Sequence, residues 1–130
     1  MLDKTILVVD DEKNIRTLFE DELTDAGFQV LTAENGKEGL RLAVQAKPDL
    51  ILLDIKMPDM HGIEVLQKFR ETDKTTPVIM VTAHGARSPV SRSMTEWVIR
   101  SKELNIADYI TKPVDLDELI AKIKQILHLS

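Results

Sequence analysis

Acidic side chains that could do chemistry follow two apolar runs of the sequence. Asp10 and Asp11 come directly after the run ILVV, and Asp54 comes directly after the run LILL. Two carboxylates about 4 Å apart repel by roughly 4 kcal/mol at an effective dielectric of about 20, so a cluster of three needs a proton or a cation to neutralise it. Because neither cysteine nor a paired histidine motif lies nearby, the hard cation Mg²⁺ is the natural candidate, with Mn²⁺ as an alternative.

The acidic pair also has a purely structural interpretation. Aspartate is favoured at the start of a helix, where its charge stabilises the helix dipole, so Asp10 and Asp11 could simply cap the first helix. The two roles can coexist, with Asp11 binding a metal while Asp11 or Glu12 favours the helix start. These residues alone leave both interpretations open.

A hydroxyl and an amine stand at the ends of two further runs. Thr82 follows VIMV, and Lys112 follows YIT. Each is ordinarily unremarkable, but beside an acidic cluster the Lys112 ammonium would pair with carboxylate or phosphoryl oxygens. Aspartate is an established nucleophile for phosphoryl transfer, and a metal, a lysine and a threonine can stabilise the transferring group. The set therefore indicates an anion-accepting site with a nucleophile and a metal.

All of these residues lie at the ends of predicted strands. Short β-branched or leucine-rich runs predict strands at 5–9, 28–32, 50–53, 78–82 and 107–111. Apolar residues at helical spacing predict a first helix that contains Ile15, Leu18, Phe19 and Leu23 and stops at Gly27, a second at 37–46, a third after Gly62 and a last one after Asp115. Alternation of strands and helices predicts a parallel sheet covered on both faces, with ligands beyond the carboxyl ends of the strands.

The composition limits the class of protein. The 130 residues are 43% hydrophobic and 30% charged, which predicts a single globular domain over 1–130. The absence of cysteine excludes disulfides, thiolate zinc sites and a cysteine nucleophile. The net charge of −5 argues against direct nucleic-acid binding by this domain. Because no run has membrane-spanning length or the pattern of a signal peptide, we expect no membrane contact and a cytoplasmic location.

Over residues 6–127 the chain resembles the receiver domain of two-component response regulators. The motifs that carry the resemblance are the pair Asp10-Asp11, LDIKMPDMHG at 53–62, VTA at 81–83 and YITKP at 109–113. Each motif is weak alone, but all four in order on alternating strands are specific. The resemblance implies an α/β fold with a doubly wound, five-stranded parallel sheet, of the (βα)5 flavodoxin-like kind, with strand order 2-1-3-4-5.

The resemblance also implies a role for each matching residue. Asp54 would accept a phosphoryl group, while Asp10, Asp11, Asp54 and the backbone carbonyl of Lys56 would hold Mg²⁺. Thr82, Ala83 and Lys112 would contact the phosphoryl group, Thr82 and Tyr109 would form the switch, and the Lys112–Pro113 peptide would be cis. The side chains of Lys56 and His84 would set the rate at which the phosphoryl group is lost.

The implied activity is signalling rather than catalytic turnover. The phosphoryl group would come from a histidine kinase or a phosphotransfer protein, and the domain would assist its own phosphorylation and dephosphorylation. Phosphorylation would change the surface of the fourth helix, fifth strand and fifth helix, and thereby control a partner or an effector domain. A phosphorylation-dependent homodimer through that surface is a further expectation.

The sequence departs from the family pattern in three places. His61 stands where the family usually has Asp or Asn, and Asn105 stands where it usually has Gly. The segment between Thr82 and Lys112 is longer than the family norm by roughly two helical turns. It predicts either a long helix at 89–104, which we favour, or a short helix at 96–104 after a loop at 85–93; Trp97 lies within it.

Two other functions fit parts of the pattern. A phosphatase that turns over an aspartyl phosphate would need an acid two residues after the nucleophile, where this chain has Lys56. A pseudo-receiver that acts only as a binding module would lack one of the acids, the threonine or the lysine, yet all are present, although the long segment could block the site. The sequence leaves open whether the domain stands alone or belongs to a longer regulator.

Overall fold

The computed structural model describes residues 3–55, 62–82 and 104–129, excluding the Thr82 side chain. The strands are β1 (Thr5–Val9), β2 (Gln29–Ala33), β3 (Leu50–Asp54), β4 (Val78–Thr82) and β5 (Ile106–Thr111). The helices are α1 (Lys13–Asp25), α2 (Gly36–Ala46), α3 (Gly62–Arg70) and the C-terminal helix α4 (Leu116–Ile126). Residues 83–103 of the lengthened segment, and with them all of its predicted helix except Leu104, lie outside the described residues, as do Lys56 and His61.

The strands form one parallel sheet in the order β2-β1-β3-β4-β5, which confirms the predicted fold class and topology. The predicted strands agree with the observed ones to within one residue at each end. In the register, Val9 pairs with Leu53, Asp54 with Val81, and Thr82 with Thr111. These pairs bring the carboxyl ends of four strands to one edge of the sheet.

Two hydrophobic clusters lie on opposite faces of the sheet. One lies under α2 and α3 and includes Leu7, Leu53 and Phe69, and the other lies under α1 and α4 and includes Val8, Leu52 and Phe19. Every residue of β3 is buried, as predicted for a central strand covered on both faces. Full burial of each aliphatic side chain stabilises the fold by about 1.5–3 kcal/mol relative to exposure. The strand that carries Asp54 is therefore firmly anchored.

Chain reversals follow the backbone preferences of their residues. α1 ends before Gly27, whose φ of 105° lies in the left-handed region that favours glycine. Asn105, just before β5, has a φ of 55°, so it adopts the left-handed conformation that glycine favours at this position in the family. Asn35 and Asp115 cap α2 and α4, because their side chains accept hydrogen bonds from the N–H groups of Glu38 and Glu118.

Arg70, at the end of α3, is buried at the opposite edge of the sheet. Its guanidinium donates hydrogen bonds to the carbonyl oxygens of Leu104 (2.7 Å), Asp73 (3.1 Å), Thr76 (2.7 Å) and Asn105 (3.1 Å). These carbonyls belong to the connections that lead into β4 and β5. Arg70 thus joins α3 to the amino ends of both strands.

Within the described ranges, the helices are too short and too polar to traverse a lipid bilayer.

Candidate functional site

The carboxyl edge of the sheet brings together the charged residues selected from the sequence. Asp10 follows β1, Asp54 ends β3, and Lys112 follows β5. Thr82 ends β4 and pairs in register with Thr111, the residue before Lys112. Side chains separated by as many as 102 positions in the sequence therefore share one site, as the strand-end rule predicts.

Asp10 lies in the turn that precedes α1 and also contacts Lys112. One carboxylate oxygen accepts a hydrogen bond of 2.9 Å from the N–H of Glu12, which closes a turn just before α1. The other oxygen lies 3.1 Å from Lys112 Nζ. In addition, Arg16 donates a hydrogen bond of 2.7 Å to the carbonyl oxygen of Asp10. The N-cap residue of α1 is Glu12, so the interpretation of Asp10 and Asp11 as helix caps is wrong. Asp10 is instead a buried member of the charged site.

Asp54 is buried, with 5% of its surface exposed. Burial and repulsion from Asp10, opposed by the attraction of Lys112, raise the pKa of Asp54 to about 7. Burial also raises the pKa of Asp10, although the Glu12 N–H and Lys112 act in the opposite direction. A cation that approaches the site would therefore stabilise both carboxyl groups in their charged forms.

Lys112 supplies a fixed positive charge between the acids. Its Nζ lies 3.1 Å from Asp10, 3.3 Å from Glu12 and 3.8 Å from Asp54. Burial lowers the pKa of Lys112, but hydrogen bonding and attraction to Asp10, with the other two acids, outweigh burial and raise it. The ammonium is therefore held in its charged form, where it can contact an anion bound to Asp54.

The Lys112–Glu12 contact was not predicted. The side chain of Glu12 is 61% exposed, and its sequence position predicts only a residue that favours the helix start. Its place directly after the acidic pair was the available signal, since a third acid at the same strand end can reach the same cation.

The acidic side chains fit a hard cation. Carboxylate oxygens of Asp10, Asp11 and Glu12 lie within 4.8 Å of one another, and Asp11 and Glu12 are exposed to solvent. The carboxyl of Asp11 also raises the pKa of Asp54, which places it close to this group. Carboxylates grouped in this way, open to water on one side, suit Mg²⁺, which retains several water ligands when it binds proteins.

Of the further residues of the predicted site, the structure describes Pro113 and Tyr109. The Lys112–Pro113 peptide is cis, as expected. Tyr109 lies in β5 and packs against the hydrophobic cluster under α2 and α3. The roles predicted for Lys56, Ala83 and His84 fall outside the described residues, and so does the side chain of Thr82.

Comparisons of the sequence with known proteins indicate one family. The family model for the response regulator receiver domain matches residues 6–124. The sporulation initiation phosphotransferase F of Bacillus subtilis is 36% identical over 129 residues, covering 99% of this chain and 98% of that protein. The phosphate regulon transcriptional regulatory protein PhoB of Pseudomonas aeruginosa is 40% identical, covering 98% of this chain but only 53% of that protein. The chain thus spans about half the length of such transcriptional regulators.

Solved structures agree with the sequence comparisons. The CheY-like response regulator receiver domain protein of Methanospirillum hungatei is 33% identical, with a TM-score of 0.84 over 98% of this chain and 95% of that chain. The receiver domain of a LuxO repressor protein from Vibrio parahaemolyticus superposes with a TM-score of 0.82 at 28% identity, covering 98% and 92% of the two chains. The chain therefore belongs to the response regulator receiver domain family of two-component systems.

Proposed function

We propose that this domain accepts a phosphoryl group on Asp54 from the phosphohistidine of a histidine kinase or a phosphotransfer protein. The observation that carries the proposal is the position of Lys112 Nζ, which lies within 4 Å of both Asp10 and Asp54 at the carboxyl edge of the sheet. In the transfer, an Asp54 carboxylate oxygen attacks phosphorus and the phosphorus–nitrogen bond to the histidine breaks. Asp54 must be ionised to attack, and Lys112 favours that form.

A divalent cation would complete the site. Asp10, Asp11, Asp54 and the backbone carbonyl of Lys56 would hold Mg²⁺ or Mn²⁺ there. When bound, the cation neutralises the acids and the negative charge of the transferring phosphoryl oxygens. The family implies this cofactor in general, and the carboxylates around Asp10 have the donor chemistry for it.

Residues of this chain would then stabilise the phosphorylated state. Lys112 would move from its contacts with the acids to a phosphoryl oxygen, since a phosphoaspartate carries more negative charge than the free carboxylate. Thr82 and Ala83, at the end of β4, would donate hydrogen bonds to the other oxygens. The side chains of Lys56 and His84 would control access of water; equal phosphoryl lifetimes in wild type, Lys56→Ala and His84→Ala would contradict this role.

Phosphorylation would switch the surface around β5. As Thr82 turns toward the phosphoryl group, Tyr109 would turn into the space that Thr82 leaves. The surface formed by the segment before β5, β5 itself and α4 would then change, and a partner or an effector domain would detect the change. Such a switch needs only a local electrostatic event that biases two packed arrangements.

The output would be signalling, not turnover of a substrate. The domain would assist its own phosphorylation and dephosphorylation, and we propose no direct contact with nucleic acid or membrane. A relative of similar length is named a phosphotransferase, whereas others are transcriptional regulators about twice as long. Passing the phosphoryl group to another protein and controlling an effector domain are both consistent with the proposal. So is a phosphorylation-dependent homodimer through the surface formed by the segment before β5, β5 itself and α4.

Intact-mass measurement after incubation with acetyl phosphate and Mg²⁺ tests the assignment of Asp54. We expect the wild type and an exposed control, Asp21→Asn, to gain one phosphoryl group, and Asp54→Asn to gain none. Chelation of the metal and Asp11→Asn should each slow the reaction at least tenfold. If Asp54→Asn is labelled at the wild-type rate, another residue is the acceptor.

A further inference from the structure

The first residue of α3, Gly62, lies directly against the backbone of Asp54. A Cβ atom built on Gly62 would collide with the carbonyl oxygen of Asp54, and would lie 2.8 Å from Ile55 Cα and 3.1 Å from the carbonyl carbon of Asp54. All three are backbone atoms, so no rotation of a side chain can make room. Any residue other than glycine at this position must displace either the start of α3 or the backbone of Asp54.

The contact is also fixed by hydrogen bonds. The N–H of Gly62 donates to the carbonyl oxygen of Ile55 at 2.6 Å, and the N–H of Ile55 donates to the carbonyl oxygen of Val81 at 3.1 Å. Ile55 is therefore held from two sides, by α3 and by β4. Since the Asp54–Ile55 peptide lies between these anchors and the acceptor side chain, its orientation sets the direction in which the Asp54 carboxylate points.

The chain offers a second crowded glycine for comparison. Gly39, within α2, would place a Cβ 2.7 Å from Val9 Cγ1 and 2.8 Å from Val9 Cγ2. Both glycines are buried helical residues, but Gly39 faces the methyl groups of a side chain, whereas Gly62 faces the peptide of Asp54. Gly39→Ala is therefore a control for crowding of a helix against a side chain.

We propose that Gly62 is a positioning residue for the phosphorylation of Asp54, an inference that rests on the proposed function above. By allowing α3 to touch the Asp54 carbonyl, Gly62 sets the carboxylate at its distance of 3.8 Å from Lys112 and keeps it beside Asp10. A methyl group at this position turns the Asp54–Ile55 peptide and moves the nucleophile away from the groups that must act with it. Displacement of a reacting group by about 1 Å can reduce a rate about a hundredfold.

The test compares Gly62→Ala with Gly39→Ala in the complete chain. The rate of Mg²⁺-dependent labelling by acetyl phosphate is measured per folded molecule, with the folded fraction taken from circular dichroism. We expect Gly62→Ala to be at least tenfold slower and to need a higher Mg²⁺ concentration for half-maximal rate, and Gly39→Ala to stay within twofold of wild type. A purely structural role would lower the folded fraction of Gly62→Ala without changing either kinetic quantity.

The possible results separate the two proposals. If the wild type is not labelled at all, the proposed function fails. If the wild type is labelled and Gly62→Ala matches it, or if both glycine variants slow equally, the positioning role is overturned. Should Gly62→Ala not fold, amide hydrogen exchange of the wild type decides: the Gly62 N–H should be protected as strongly as the β3 amides, and free exchange there would overturn the proposal.

Discussion

Buried charges lie at both edges of the sheet, but they are satisfied in different ways. At the amino edge, Arg70 donates to four carbonyl oxygens, and the Asp73 carboxylate accepts from the N–H groups of Thr75 and Thr76 at 2.9 Å and from the Thr76 hydroxyl at 2.6 Å. Burial raises the pKa of Asp73, but the hydrogen bonds from Thr76 and Thr75 outweigh it and lower the pKa. At the carboxyl edge, by contrast, burial and repulsion raise the pKa of Asp54 to about 7.

The charged groups at the two edges differ in how they affect stability. At the amino edge, Arg70 and Asp73 are hydrogen-bonded to backbone groups and to the Thr76 hydroxyl, so they stabilise the connections between elements. Charged groups at the carboxyl edge are crowded with like charges, which costs stability in the absence of a cation. A cation bound at this edge would relieve the repulsion between the carboxylates.

Removing Arg70 should produce the largest loss of stability. Arg70→Met leaves four carbonyl oxygens without this donor, and we expect the free energy of unfolding to fall by about 3 kcal/mol. Urea unfolding followed by circular dichroism measures the change. Arg41→Met, an exposed arginine that contacts Gln45 and Glu38 within α2, should change the value by less than about 0.5 kcal/mol. Equal effects of the two variants would mean that the Arg70 hydrogen bonds add no net stability.

Neutralising Asp54 should raise the free energy of unfolding, whereas removing Arg70 lowers it. Because its pKa is raised from 3.8 to about 7, the folded state keeps the proton over a range in which the unfolded state has lost it. The contribution of Asp54 to the stability of the wild type should therefore fall as pH rises from about 4 to about 7, and change no further above that. In metal-free buffer at pH 8 we expect Asp54→Asn to be more stable than wild type by about 2 kcal/mol, and the two to converge below pH 4.

Urea unfolding at several pH values with a chelator tests this dependence on Asp54. Addition of Mg²⁺ at pH 8 should reduce the difference in the free energy of unfolding between Asp54→Asn and wild type, because the cation stabilises the charged form of the wild-type site. If Asp54→Asn is less stable than wild type throughout the pH range, the buried Asp54 carboxyl group stabilises the fold and the prediction is wrong.

Neutralising Asp73 should have the smallest effect. Asp73→Asn keeps an oxygen that can accept from Thr75 and Thr76 but loses the charge that strengthens these hydrogen bonds and attracts Arg70. We expect a loss of about 1 kcal/mol at pH 7. Since the pKa of Asp73 is lowered, this contribution is present above its unfolded value of 3.8 and disappears as the pH falls further. If the difference in the free energy of unfolding between Asp73→Asn and wild type is unchanged at pH 3, it does not come from the charge of Asp73.

Most of the fold could be predicted because its signals are local. The fully buried run of β3 needs only neighbouring residues to be recognised, and the alternation of strands with amphipathic helices is enough to favour a parallel sheet. Left-handed conformations at Gly27 and Asn105 follow from residue types that tolerate positive φ. The boundaries of β2, β3 and β5 each differ by one residue from the predicted ones, because strand ends depend on the partner strand and not on propensity alone.

Sequence alone also determined which residues could meet at the carboxyl edge, since the direction of parallel strands places Asp10, Asp54 and Lys112 together. Only the tertiary structure decided how they meet. The Lys112–Glu12 contact joins residues 100 positions apart, and the pKa of Asp54 depends on burial and on distances to charges from two other strand ends. The crowding of Gly62 against Asp54 and the four acceptors of Arg70 are likewise set by how helices dock on the sheet. Electrostatic energies and steric contacts change over distances of an ångström, whereas the sequence pattern specifies only which elements are neighbours.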